Sequence, residues 1–448
     1  MAKSTTLYVC QQCGATYSKW VGKCENCSAW NSLLEQEKTS TGKSAVAKSH
    51  GKALQPKKLS EVQLDNVKNR LVTGFSELDD VLGGGLMPGG VMLMAGQPGI
   101  GKSTLLLQVA ANVADKKSVL YVSGEESTGQ IKLRAERLGA HQQDALSLVS
   151  STSADDIGAT IAQSKYDLVI VDSIQTLSLD EITSAPGTVS QITNSSNVII
   201  RAAKAANTSV VLVGHVTKEG SIAGPKVLEH LVDVVLNFEG DRYGGFKIVR
   251  AMKNRYGATS EVALLEMAEE GLKQVENPSA ALLAERQNTD GSVILATLEG
   301  NRPLLVEIQA LVNPTHFGYP KRTASGFDIN RLNLLIAVLE KRTKLKLSES
   351  DIYINVVGGL KLSDPAADLA VTMAIASAAA GRKIGDGVIV FGEVGLGGEI
   401  RSAVSSDRRL AEAKKLGFTS AITPKLRNST KFARQVTDLR QALVDYLK

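Results

Sequence analysis

Residues Val91–Ala114, "VMLMAGQPGIGKSTLLLQVAANVA", join a short apolar run, a glycine-rich bend and a longer apolar run. The first run has the length of a buried strand and the last has the length of a helix. Between them stand Gly96, Gln97, Pro98, Gly99, Ile100, Gly101, Lys102, Ser103 and Thr104. That is the G-x-x-x-x-G-K-[ST] pattern in the strand-to-helix setting it requires. Loop amides and the helix start are expected to cradle phosphates. Lys102 is placed to reach the β- and γ-phosphates, and Ser103 to hold Mg²⁺. The expected cofactors are therefore ATP and Mg²⁺.

Downstream, strand-like runs recur at the spacing of an α/β core, and each ends in chemistry. "SVLYVSGEES" ends in Glu125 and Glu126, "YDLVIVDSIQT" runs into Asp172, and "TSVVLVGHVTKEG" carries His215. Functional residues of open α/β sheets gather at the carboxyl ends of parallel strands. Asp172 is the acid expected near magnesium. Glu125 is favoured to polarise the attacking water, with Glu126 as its rival. Either glutamate alone also suits a first helical turn.

The whole chain has 448 residues, 43% of them hydrophobic, and a net charge of +5, enough for two or three soluble domains. No apolar run approaches the ~18 residues of a membrane span. The start, "MAKSTTLYVC", lacks the apolar core of a secretory signal, so a cytoplasmic protein with no membrane partner is expected. Lys38, Lys43, Lys48, Lys52, Lys57 and Lys58 lie among small and polar residues, which reads as a flexible basic tether. Its charge serves solubility or attracts nucleic-acid phosphates.

Ahead of the tether, Cys10, Cys13, Cys24 and Cys27 form two CxxC knuckles and are all the cysteines present. Four thiolates in that spacing suit one structural Zn²⁺, and a cytosolic chain disfavours the alternative disulfides. About thirty residues bury too little surface alone, so the metal supplies folding energy, on the order of 10 kcal/mol. Trp20 and Trp30 flank the knuckles; at least one is expected to pack in the small core, and one could instead stack on a base or a partner.

Near the end of another apolar run stands "VRAMKNRYGATS", with Lys253 and Arg255 two residues apart. The order of zinc knuckles, "GQPGIGKST", "VIVDS" and Lys-Asn-Arg-aromatic-Gly resembles the RadA (Sms) family, bacterial recombination-repair ATPases related to RecA, along the whole chain. The family usually has Phe where this chain has Tyr256. The resemblance implies an α/β fold with a four-cysteine zinc module at 1–35, a basic linker at 36–58, a RecA-like P-loop core at 59–275 and a Lon-protease-like α+β domain at 276–448. It implies head-to-tail assembly in which Lys253 and Arg255 reach the neighbour's γ-phosphate, although both side chains also suit solvent or DNA phosphate. It further implies that His215 senses the γ-phosphate; an ordinary hydrogen-bonded histidine is the alternative.

Two stretches resemble the DNA-facing loops of RecA: Ser178–Gln191, and His215–His230 with Lys218 and Lys226. Small residues suit mobile loops, and lysines suit phosphate contacts without base readout. In the last segment the serine and lysine that Lon chemistry needs are replaced by Ala366 and Asp407. That leaves a ring scaffold, and basic residues such as Arg401, Lys414 and Lys415 that either face solvent or hold duplex DNA. The expected function is a DNA-dependent ATPase, a six-membered ring that translocates on single-stranded DNA and promotes branch migration beside the RecA recombinase. A regulatory ATPase like KaiC is the alternative, and a peptidase is nearly excluded.

Overall fold

The computed structural model describes residues 5–10, 15–26, 30, 32–38, 56, 58–61, 69–140, 143–163, 165–215, 226–240, 246–315, 318–428 and 430–447. At the N-terminus, β1 (Thr5–Cys10) lies between β2 (Thr16–Tyr17) and β3 (Leu33–Lys38), antiparallel to both. Cys10, Cys24 and Leu33 form its small core, with Tyr8, Ala15, Tyr17 and Val21 around them. Neither tryptophan joins it. Trp20 and Trp30 are 55% and 73% exposed, and both rings lie beside Gly22, outside that cluster. The third strand runs through Lys38, and most of the basic tether beyond it lies outside the described residues.

The central sheet has six parallel strands: β4 (Val91–Gly96), β5 (Val119–Ser123), β6 (Leu146–Ser150), β7 (Leu168–Asp172), β8 (Ser209–His215) and β9 (Val234–Gly240). Three antiparallel strands extend it, β10 (Phe246–Asn254), β11 (Val262–Ala268) and β12 (Gly271–Gln274), giving the order β12-β11-β10-β9-β4-β8-β7-β5-β6. Helices α1 (Ser76–Leu82), α2 (Lys102–Ala114) and α3 (Thr128–Arg137) cover one face; α4 (Ala154–Gln163), α5 (Val189–Ala206) and α6 (Lys226–Leu231) cover the other. Both faces being buried explains why the strands read as unbroken apolar runs: Met92 and Met94 point to one core, Leu93 to the other.

The last part is a seven-stranded mixed sheet built around β13 (Ser292–Glu299) and β14 (Arg302–Pro314). It also contains β15 (Arg322–Ser325) and β16 (Ser350–Val356), and helix α7 (Pro278–Leu283) precedes it. Beside this sheet lie α8 (Ile329–Thr343), the nearly all-buried α9 (Ala367–Ala380) and α10 (Ser406–Lys415). Its core takes in Ile248, Val262 and Leu264 from β10 and β11, so the two sheets share one apolar seam. Two ion pairs cross the seam: Arg302 to Glu77 at 2.6 Å, and Arg250 to the buried Glu299. No described helix is long and apolar enough to cross a membrane.

Candidate nucleotide site and its surroundings

The glycine-rich bend leaves β4 and enters α2 through two left-handed residues, Gly99 (φ +77°) and Gly101 (φ +113°), which a β-carbon would strain. Gly96 has a different reason: a β-carbon there would fall 2.6 Å from the Phe238 carbonyl. Gly99 faces open space, so the bend forms a cradle of backbone amides at the start of α2, where no side chain caps the helix. A triphosphate fits this cradle chemically.

Lys102 folds back under the bend, and its Nζ donates to the Gly96 carbonyl at 2.8 Å and the Gln97 carbonyl at 3.0 Å. Burial pushes its ammonium down to about 8, against the opposing pull of Asp172 and Glu125. Nζ also lies 3.1 Å from His215 Nδ1. With the ammonium donating to Nδ1, the ring proton belongs on Nε2, which is 3.5 Å from Glu125 Oε1. Glu125 Oε1 also accepts from Ser173 Oγ at 2.6 Å. The carboxyl ends of β4, β5, β7 and β8 thus meet in one polar chain.

Asp172 is buried in that group, and its Oδ2 accepts from the Tyr121 hydroxyl at 2.7 Å. Burial and the Asp172 charge push the Tyr121 hydroxyl well above its usual range. The paired glutamates part company. Both of their amides donate to Ser123 Oγ, but Glu126 turns to an ion pair with Arg134 of α3 while Glu125 faces Lys102 and His215. Of the two, Glu125 alone points at the cradle.

Lys253 and Arg255 sit elsewhere. The β9–β10 register shifts between Ala251 and Lys253, a bulge at the exposed Met252 that ends the regular alternation. Arg255 N–H donates to the Asp233 carbonyl and Asp233 N–H to that of Val91, so Arg255 lies level with the start of β4. The cradle lies at the far end of the same strand, roughly 17 Å away at ~3.3 Å per residue. Lys253 Nζ donates to the carbonyls of Glu229 (2.6 Å) and Val232 (2.8 Å), at the end of α6. Burial and the nearby Arg255 charge push that ammonium below its ordinary value.

Asp233, buried between apolar neighbours, organises the element. Its carboxylate accepts from Val91 N–H at 3.1 Å, from Arg255 Nη1 at 3.1 Å, from Lys204 Nζ and from the Tyr256 hydroxyl. Burial alone would raise its pKa; these donors hold it below the ordinary value. Burial and Asp233 together push the Tyr256 hydroxyl up to about 12. Nothing in "LVDVVL" marks Asp233 as more than an acid between strands.

The Ser178–Gln191 stretch is tied down. The buried Gln191 side chain accepts from Leu179 N–H and donates to the carbonyls of Leu179, Ile182 and Ser184, which anchors the first part of the stretch to the start of α5. In the second stretch Lys218 lies outside the described residues, and Lys226 opens α6.

In the zinc module, Cys10 and Cys24 are buried, with Ser32 Oγ 3.2 Å from one sulfur and the Tyr17 hydroxyl 3.2 Å from the other. Hydroxyls that can donate to sulfur suit thiolate ligands, so this half of the donor set fits Zn²⁺. Cys13 and Cys27 lie outside the described residues. In the last domain Ala366 is buried at the start of α9 and Asp407 is exposed on α10. Beside Ala366 the buried Arg409 pairs with Asp364 at 2.6 Å, and the Thr297 hydroxyl donates to the same carboxylate oxygen at 3.1 Å.

A family model described as an AAA domain matches residues 56–221, and one described as a rubredoxin metal binding domain matches residues 8–35. DNA repair protein RadA of Halalkalibacterium halodurans is 47% identical over 429 residues, covering 95% of this chain and 93% of that protein. RadA of Pseudomonas aeruginosa is 45% identical over 454 residues, 99% of each. Among solved structures, the RadB recombinase is 23% identical, covers 46% of this chain and 100% of its own, and superposes with a TM-score of 0.37. Relatives this similar over nearly their full length make the chain an ATP-hydrolysing member of the RadA family of DNA repair proteins.

Proposed function

We propose that this ATPase completes its active site only on assembly, as a head-to-tail ring, six-membered, that moves along single-stranded DNA and drives branch migration of recombination intermediates with the RecA recombinase. Heterologous contacts of this kind close into rings or continue as filaments. The observation that carries the reading is the separation within one chain: Lys253 and Arg255 lie at the opposite end of β4 from Lys102. A neighbour stacked with the same orientation brings its own Lys253 and Arg255 to the open cradle.

In this reading the amides of Gly96–Thr104 and Lys102 hold the triphosphate, and Glu125 orients the attacking water. Ser103 and Asp172 would hold Mg²⁺, which supplies charge neutralisation between the β- and γ-phosphates. Cations donated from the next subunit stabilise the transition-state charge, an effect worth ~10³–10⁵ in rate. His215, between Lys102 and Glu125, ties phosphate occupancy to the segment after β8, where Lys218 and Lys226 contact DNA phosphates. Cys10, Cys13, Cys24 and Cys27 would hold a structural Zn²⁺ in the 1–35 module. Residues 36–58 tether that module to the 59–275 core, and the 276–448 domain serves as the ring's scaffold.

Mixing two inactive variants tests the shared site. Lys102→Ala is expected to lose nucleotide turnover; Arg255→Ala is expected to bind ATP normally but lose turnover stimulated by single-stranded DNA. Combined, they form some seams with both wild-type halves, and part of the stimulated rate should return. If no mixture regains activity, Arg255 does not act across subunits.

A further inference from the structure

Beside the glycine-rich bend, on the side away from Glu125, lies a cleft of about 330 Å³ that no role above uses. One wall is the bend itself (Gln97, Ile100) and β9–β10 (Phe238, Glu239, Phe246); the opposite wall belongs to the last domain and includes Ser325 and Lys361. The cleft is therefore built by two domains that share a seam. Its volume is in the range of small-ligand sites, and its floor combines the buried Phe238 and Ile248 with a few polar groups, the usual make-up of such sites.

Direction decides what it holds. The groups suited to the γ-phosphate end, Lys102, His215 and Glu125, lie toward β8, β7 and β5. The bend's other flank faces β9–β12: a β-carbon at Gly101 would come 3.0 Å from Met267 Cε, with Leu272 and Phe238 next. A triphosphate laid through the cradle with its terminal phosphate at Lys102 and Glu125 extends its other end toward this flank, where the cleft opens. We propose that the cleft receives the base and ribose of the bound nucleotide, so that the last domain forms one wall of the nucleotide site. The proposal rests on the triphosphate reading of the cradle. Its physical consequence is reciprocal: a nucleoside that touches both walls strengthens the seam between the domains by as much as the seam strengthens nucleotide binding.

The test compares ATP with inorganic tripolyphosphate, which offers the same phosphates and no nucleoside, by calorimetric titration of the full chain. Wild type should bind ATP at least about tenfold more tightly, the scale of one aromatic–base contact. Ser325→Trp, which fills the cleft from the last domain, should weaken ATP about tenfold and leave tripolyphosphate unchanged; tripolyphosphate binding also reports that the variant has folded. Phe246→Leu, which keeps an apolar side chain and removes the ring, should act in the same direction. Equal affinity of wild type for the two ligands, or variants that bind ATP as wild type does or lose both ligands together, would overturn the proposal. Failure of the underlying cradle reading looks different: Lys102→Ala would then retain full affinity for tripolyphosphate.

Discussion

Lys102 is only 4% exposed, and its direct partners are two carbonyls and an imidazole, none of them anionic. A lysine whose folded pKa is near 8 while the unfolded value stays near 10.5 loses its proton first in the folded state. Between those values the unfolded chain binds more protons, so stability without nucleotide rises with pH; below 8 the full penalty, on the order of 3 kcal/mol, is present. Denaturant unfolding at pH 7.5 and 9.5 should show wild type gaining about 2 kcal/mol relative to Lys102→Met. Parallel pH profiles for the two proteins would refute that assignment. Binding an anionic triphosphate raises the same pKa, which makes the residue a charge waiting for its counterion. At this scale the sequence was informative where spacing fixes chemistry, as in Gly96–Thr104. It favoured Glu125 without excluding Glu126, because the choice is made by Arg134, eight residues beyond Glu126 on α3, which pairs with Glu126 and leaves Glu125 facing inward.

Among the elements, β10 and the segment after it show how a motif can be read correctly and placed only by contacts remote in sequence. "KNRYG" reads as a cationic strand end, but its position is set by Asp233, Lys204 and the Arg70 guanidinium, which donates to the Tyr256 carbonyl at 2.9 Å. None of those partners is adjacent in the chain. Asp233 is a positioning residue, and Asp233→Asn keeps the Val91 contact while loosening Arg255. We expect turnover to fall roughly tenfold to hundredfold, the usual cost of a misplaced group, with ATP affinity unchanged. An unchanged turnover would remove Asp233 from any role at the seam. The tryptophan expectation failed as well: Tyr8, Tyr17 and Val21 join the small core and both tryptophans stay exposed, a choice that no periodicity records.

For the whole molecule, the strand and helix runs together with the family resemblance anticipated two large layered units. What stayed hidden was how firmly they are joined, since the residues concerned, Ile248, Leu264, Arg250 and Glu299, look like ordinary strand positions. Removing one member of a buried ion pair leaves the other charge uncompensated. Glu299→Ala should therefore cost about 3 kcal/mol and lower the melting of both large domains together. Two transitions that separate in scanning calorimetry, only one of them shifted, would show that the seam does not couple them.

The grip of Lys253 on the last carbonyls of α6 carries a mechanical implication. One ammonium cannot clasp its own helix and also stretch into a neighbour's phosphates. In an assembled ring, each act of lending would release the end of α6, and α6 directly follows the segment bearing Lys218. The end of α6 would then exchange two lysine hydrogen bonds for water each time the side chain is lent, and regain them when it returns.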